Sequence, residues 1–170
     1  IEGEGRLATG EEQKTLSYYV GWGGISEVFD SSNISWKNEF EELKGLLTIE
    51  EYEAARATVN NAFYTSPEIA SCMHQALLEF GFRNGNVLEP SMGVGNFFGS
   101  VPTPLQRCNY YGVEVDSISG RIAKQLYQLA NISITGFEKT TYPDNFFDVA
   151  IGNVPFGDYK LYDPKYNKYN

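Results

Sequence analysis

The chain is poor in cysteine, methionine and histidine, with two, two and one in 170 residues, and each shortage excludes something. Cys72 and Cys108 stand at no metal-ligand spacing and are too few for a disulfide-built fold; no metal site is expected, and a reducing cytoplasm is the expected setting. His74 has no partner motif, so a solvated or hydrogen-bonded role is expected for it rather than a catalytic one. No apolar run approaches the roughly 18–20 residues of a membrane span, so no membrane association is expected. Basic residues are also short. Thirteen against twenty-two acidic ones leave a net charge of −9, which disfavours non-specific attraction to phosphates. A nucleic-acid substrate would have to be gripped by surfaces outside this chain. There is no initiating methionine, no charged-then-apolar leader and no internal repeat, and the sequence stops inside a tyrosine-rich stretch; a piece of a longer protein is expected.

What is present begins with helices. Residues 1–9 mix Gly, Glu and Arg and are expected to be a disordered lead-in. A short helix over Glu11–Val20 should stop at Gly21, with Trp22 of the following GWGG filling an apolar gap. Asp30–Asn33 is turn chemistry, Trp36, Phe40, Leu43 and Leu47 fall at helical spacing, and Thr48 with Glu51 forms a capping box for a helix from Ile49 to about Asn60. Ser66 and Pro67 start another helix, whose apolar face reads Ile69, Met73, Ala76, Leu77 and Phe80, ended by Gly81.

The organising stretch is VLEPSMGVGNFF, residues 87–98: a short apolar strand, Glu89 at its carboxyl end, then Gly93 and Gly95 before two aromatics. A strand running into a glycine-spaced turn lets backbone N–H groups approach a ligand without Cβ obstruction, although a lone G-x-G also describes an ordinary loop. NYYGVEV at 109–115 is a second strand, Ser117 caps a helix carrying Ile118, Ile122, Leu126 and Leu129, Ile132–Thr135 is a third strand and Phe146–Gly152 a fourth. Strands alternating with helices imply right-handed crossovers and a parallel sheet, an α/β fold. Glu114, twenty-one residues after Gly93 at the end of the next strand, is placed to accept hydrogen bonds from both hydroxyls of a ribose. The alternative, an acid capping the next helix, fits Asp116 better.

The fourth strand leads into Asn153-Val154-Pro155-Phe156-Gly157. This loop resembles the Asn-Pro-Pro-Phe/Tyr motif of amino-group methyltransferases dependent on S-adenosylmethionine. With FYTSP at 63–67, LEPSMGVGNF at 88–97, GVEVD at 112–116 and GFE at 136–138, the ordered series is similar to the gamma-type N6-adenine DNA methyltransferases. GWGG, the following VFD and the lead into FYTSP resemble the large methylase–helicase proteins of conjugative elements and phages. The resemblance implies a bacterial or phage-encoded protein, S-adenosylmethionine as cofactor, a Swi/Snf-type helicase in cis, and DNA bound elsewhere in the parent. It implies a truncated Rossmann-like methyltransferase fold of sheet order 3-2-1-4 with a helical N-terminal extension: 1–62 the extension, 63–157 the partial methyltransferase domain, 158–170 a tail. It also implies that Thr65 helps hold the methionyl carboxylate, that Glu89, Gly93 and Gly95 surround the methionyl and sugar portions, that Glu114 binds the ribose, and that Phe137 and Glu138 lie near the adenine of the cofactor. Phe137 stands where the family has an aspartate.

Asn153, Val154, Pro155 and Phe156 are the expected catalytic loop. The lone pair of an exocyclic amine on a purine is delocalised into the ring; the Asn153 side-chain oxygen and the Val154 carbonyl could bind its two hydrogens and turn the lone pair toward a methyl donor. Phe156 would stack on the flipped base. Val154 replaces the usual proline, keeping the carbonyl and losing the fixed φ. Without the other motifs the same loop reads as a strand exit, Asn153 supporting the turn and Phe156 packing inward. Other substrates for such a loop are RNA and protein glutamine, and a third possibility is an inactive scaffold. In the 3-2-1-4 order, strands 1 and 4 are neighbours and ligands bind outside their carboxyl ends. Strands expected after Asn170 would leave strand 4 an edge able to pair with another chain unless residues 157–170 cover it; the tyrosines of that tail offer either a stacking surface for single-stranded nucleic acid or an ordinary chain end.

Overall fold

In the computed structural model, which describes residues 1–59 and 64–155, four parallel strands form the central layer: β1 (Asn86–Glu89), β2 (Asn109–Glu114), β3 (Asn131–Ile134) and the two-residue β4 (Val149–Ala150). Their order is β3-β2-β1-β4, the expected doubly wound, Rossmann-like arrangement. Leu88 pairs with Tyr111 on one side and Ala150 on the other, so β1 is the central strand at which the winding reverses.

The helices are α1 (Gly10–Leu16), α2 (Lys37–Leu46), α3 (Ile49–Thr58), α4 (Pro67–Glu79), α5 (Asn96–Gly99) and α6 (Ser117–Leu126). The Thr48–Glu51 capping box forms as expected, and Ser66 caps α4 with Pro67 in its first turn. A similar box, Thr9 with Glu12, starts α1. The crossover from β1 to β2 runs through α5 and a 3₁₀ turn at Thr103–Leu105, that from β2 to β3 through α6, and that from β3 to β4 through one 3₁₀ turn, Phe137–Lys139. The main core lies between the sheet and the helices on one face, where Val87 and Ile151 meet Ala70, Phe97, Leu105 and Ala123. A second core, Val28, Phe29, Leu43 and Ala55, joins α2 and α3 and takes in Trp22 and the α6 residue Ile118. Trp22 fills the apolar role expected of it.

Several expectations are corrected. Residues 1–9 are ordered, because α6 and the turn after it supply partners for them: Arg121 pairs with Glu2, Gln125 accepts the Ala8 N–H at 2.8 Å, and Gln128, just past the helix, donates to the Ala8 carbonyl at 2.8 Å. Helix α4 turns a different face inward. Ala70 and His74 are buried while Ile69, Met73 and Phe80 are exposed; close approach of α4 to Phe97 requires the small Ala70 at the contact, which rotates the longer apolar stripe outward. His74 thus lies inside, its ring edge-on to Phe97, with neither nitrogen in a well-formed hydrogen bond among the described residues. Helix α6 is capped by Asp116, whose carboxylate accepts the Ser119 N–H at 2.8 Å, rather than by Ser117. It ends at Leu126, so Leu129 falls off the helical period and is fully exposed.

Among the described residues no helix is long and apolar enough to cross a membrane, and no cluster of three His, Cys, Asp or Glu could hold a metal ion.

Candidate functional site

The carboxyl ends of β1, β2 and β4 collect the residues singled out above. Leaving β1, the chain turns at Gly93 and Gly95, both with positive φ (56° and 86°). The Met92 N–H donates to the Val113 carbonyl at 3.0 Å, which holds the turn against β2. Glu114 completes the attachment. Its Oε2 accepts the Gly93 N–H at 2.6 Å and its Oε1 the Asp116 N–H at 2.7 Å, so one carboxylate orients both the glycine turn and the start of α6. Each carboxylate oxygen keeps a further lone pair for a ligand donor.

The glycines have a reason the sequence did not disclose. A Cβ on Gly93 would lie 2.4 Å from Cε1 of Tyr64, so the missing side chain makes room for a ring of the chain itself. Tyr64 donates or accepts a hydrogen bond with the Ser119 hydroxyl at 3.0 Å. Tyr127 packs in the same way against Gly95.

Glu89 is only 2% exposed, and its Oε2 has no hydrogen-bond partner among the described residues. Burial, reinforced by the Glu114 carboxylate, raises its pKa well above the usual carboxylate value. Burial also raises that of Glu114, against the lowering effect of the two N–H groups it accepts. At these two carboxyls the folded state therefore binds more protons than the unfolded one above the ordinary carboxylate pKa, and the stability they contribute falls as pH rises from there toward the folded values. Glu89→Gln is expected to flatten this decline. Urea unfolding at pH 5, 6, 7 and 8 checks it; equal slopes for the two proteins would remove Glu89 as the cause.

Thr65 lies beside the turn, its carbonyl accepting from Asn96 Nδ2 at 2.9 Å. On the β3 side, the Thr135 N–H donates to the Glu114 carbonyl at 2.8 Å, which brings Gly136–Glu138 next to Glu114. Phe137 is half-exposed and the Glu138 carboxylate folds back over Gly136. Beyond Thr135 a cleft of about 370 Å³ is lined by Ser133, Lys139, Thr140, Thr141 and Tyr142.

Asn153, Val154 and Pro155 are exposed where the chain leaves β4. The Ile151 N–H donates to the Leu88 carbonyl at 2.9 Å, and Gly152 packs on Pro90 and Glu89. The Asn153 loop and the glycine turn thus leave adjacent strands at the same end of the sheet. Phe156 lies outside the described residues, as does the tail. Tyr64, Ser119, Tyr127 and Asp116 are near the site without having been assigned to it from the sequence; only the places of Tyr64 within FYTSP and of Asp116 within GVEVD could have signalled two of them.

No family model matches the chain. Over 156 residues it is 29% identical to the Defense against restriction protein B of Escherichia phage P1, a match covering 91% of this chain and 5% of that protein. The chain therefore spans about one-twentieth of that relative's length. Among solved structures it is similar to the methyltransferase subunit of a type I restriction-modification system from Streptococcus thermophilus (17% identity, TM-score 0.47, covering 69% of this chain and 31% of that one). It is also similar to a candidate class I S-adenosylmethionine-dependent methyltransferase from Listeria monocytogenes (17%, TM-score 0.48, 85% and 53%). A third is a plantazolicin methyltransferase in complex with SAH (13%, TM-score 0.42, 82% and 48%). Likeness at this level identifies no substrate.

Proposed function

We propose that this chain is the cofactor-binding part of an S-adenosylmethionine-dependent methyltransferase whose acceptor is the exocyclic N6 of adenine in DNA. The observation that carries the reading is the meeting of Glu89, Glu114, the Gly93–Gly95 turn and the Asn153 loop at one end of β1, β2 and β4. A buried carboxylate with an unpartnered oxygen suits a cationic ligand, and the sulfonium cofactor fits that requirement. When bound, it supplies an electrophilic methyl group.

The chain's own residues do the rest. Glu114 holds the turn and would offer lone pairs to the ribose hydroxyls; Thr65 would help hold the methionyl carboxylate, and Phe137 and Glu138 would border the adenine of the cofactor. The Asn153 side-chain oxygen and the Val154 carbonyl would accept hydrogen bonds from the two amine hydrogens and aim the nitrogen lone pair, Pro155 would restrict the loop, and Phe156 would be the residue to stack on a flipped base. Holding the nitrogen in line with the donor methyl would supply much of the rate without a strong base, since the N–C bond forms as the S–C bond breaks and the resulting ammonium is acidic enough to lose its proton to water.

DNA is preferred to RNA or protein glutamine because of the ordered motif series and the restriction-defence name of the phage relative. With a net charge of −9, this chain leaves the grip on DNA, and any helicase action in cis, to other parts of the protein. The departures at Val154 and Phe137 favour a second reading, a scaffold module that has lost turnover. Transfer of a labelled methyl group by the intact protein to duplex DNA, RNA and protein separates these readings: label in N6-methyladenine supports the first, and no label in any acceptor supports the scaffold.

A further inference from the structure

The ring of Tyr64 is wedged between two glycines from distant parts of the chain. One edge faces Gly93 in the turn after β1. The other faces Gly21, where φ is +77° and a Cβ would stand 2.5 Å from the tyrosine Cε2. Gly21 belongs to the GWGG stretch, which nothing in the proposed chemistry uses. Neither glycine has room for a methyl group, and the hydroxyl end of the ring is fixed on Ser119 in the first turn of α6.

Around this wedge polar groups of the extension and of the end of β2 gather. Tyr19 stands edge-on to Trp22 at 5.8 Å between ring centroids, and its hydroxyl lies among Trp22, Ser119, Tyr64 and Asp116. The extension thus meets the start of α6 directly behind the glycine turn.

We propose that the stretch around Gly21 is a working wall of the cofactor site, and that Tyr64 is the positioning residue through which it sets the glycine turn. This rests on the cofactor reading above and adds to it that the N-terminal segment governs cofactor affinity without touching the reacting atoms. A change at Gly21 moves the ring, the ring moves Gly93, and the Gly93 N–H then loses its alignment with Glu114.

A double-mutant cycle with Gly21→Ala and Tyr64→Ala tests this, read by calorimetric affinity for S-adenosylmethionine and by amide hydrogen exchange. Gly21→Ala is expected to weaken binding at least tenfold and to speed exchange at Gly93 and Gly95, while exchange in α2 stays unchanged. Adding Tyr64→Ala removes the colliding ring and leaves only the strain of alanine at φ +77°, so the combined loss should fall well short of the product of the two single losses; Tyr64→Phe, which keeps the ring, should stay close to the wild type. Multiplying losses, or unchanged affinity and exchange in Gly21→Ala, overturn the proposal. If the unmodified chain fails to bind, the cofactor reading falls, and the exchange data still decide whether Gly21 and Gly93 are coupled through Tyr64.

Discussion

Asn153→Ala in the intact protein is expected to lower methyl transfer at least about a hundredfold and to leave affinity for S-adenosylmethionine within about threefold of the unmodified protein. The expectation follows from what the side chain does at each stage. An adenine amino group loses ring conjugation as its nitrogen turns tetrahedral, and its two hydrogens become more positive. Acceptors held in place strengthen their interaction as that charge develops, and removal of one positioned hydrogen-bonding group of this kind costs about 10²–10³ in rate. Asn153 is exposed and follows Gly152, which packs on Pro90 and Glu89. Its side chain supports no core packing, so truncation leaves the fold and the glycine turn standing. Single-turnover transfer alongside calorimetric titration measures both numbers. Transfer unchanged in the variant would take the catalytic role from Asn153 and favour the scaffold reading.

The second large effect belongs to Glu114. Glu114→Ala removes an acceptor from the Gly93 and Asp116 N–H groups, both now at short distance, and from the ribose. Hydrogen bonds to a charged group contribute about 1.5–3 kcal/mol each, so cofactor affinity should fall by about ten- to a hundredfold. Loss of the turn alone could produce the same number. The two causes separate with a cofactor analogue lacking the ribose hydroxyls. If Glu114 accepts from them, their deletion weakens binding to the unmodified chain and has little effect on the variant. Equal losses in both proteins would confine Glu114 to anchoring the turn.

The features legible in the sequence were those with local causes. Alternating apolar residues gave the strands, although the fourth is confined to Val149–Ala150 where Phe146–Gly152 was expected, Thr48 with Glu51 gave a helix start, and the spacing from Gly93 to Glu114 put an acid at the end of the neighbouring strand. Matters set by distant contacts were not legible. The rotation of α4 depends on which residue lets it approach Phe97, and Ala70 does so where the longer stripe beginning at Ile69 cannot. Order in residues 1–9 depends on Arg121, Gln125 and Gln128, more than a hundred positions away. The same holds at the site. A G-x-G pattern announces that something comes close to the backbone, and only the fold shows that at Gly93 and Gly95 the visitors are the rings of Tyr64 and Tyr127. For the same reason the GWGG stretch reads as a helix terminator in one dimension, whereas in three it lies across the Tyr64 ring from the glycine turn.

The central claim is that the glycine turn and the Asn153 loop border one ligand. Amide spectra of the chain recorded during titration with S-adenosylhomocysteine test it directly. Saturable shifts should concentrate at Glu89–Gly95, at Glu114 and Asp116, at Phe137–Glu138 and at Gly152–Asn153, with the α2–α3 helices unaffected. A titration that leaves the glycine turn and the Asn153 loop unmoved, or moves only one of them, would contradict a shared pocket.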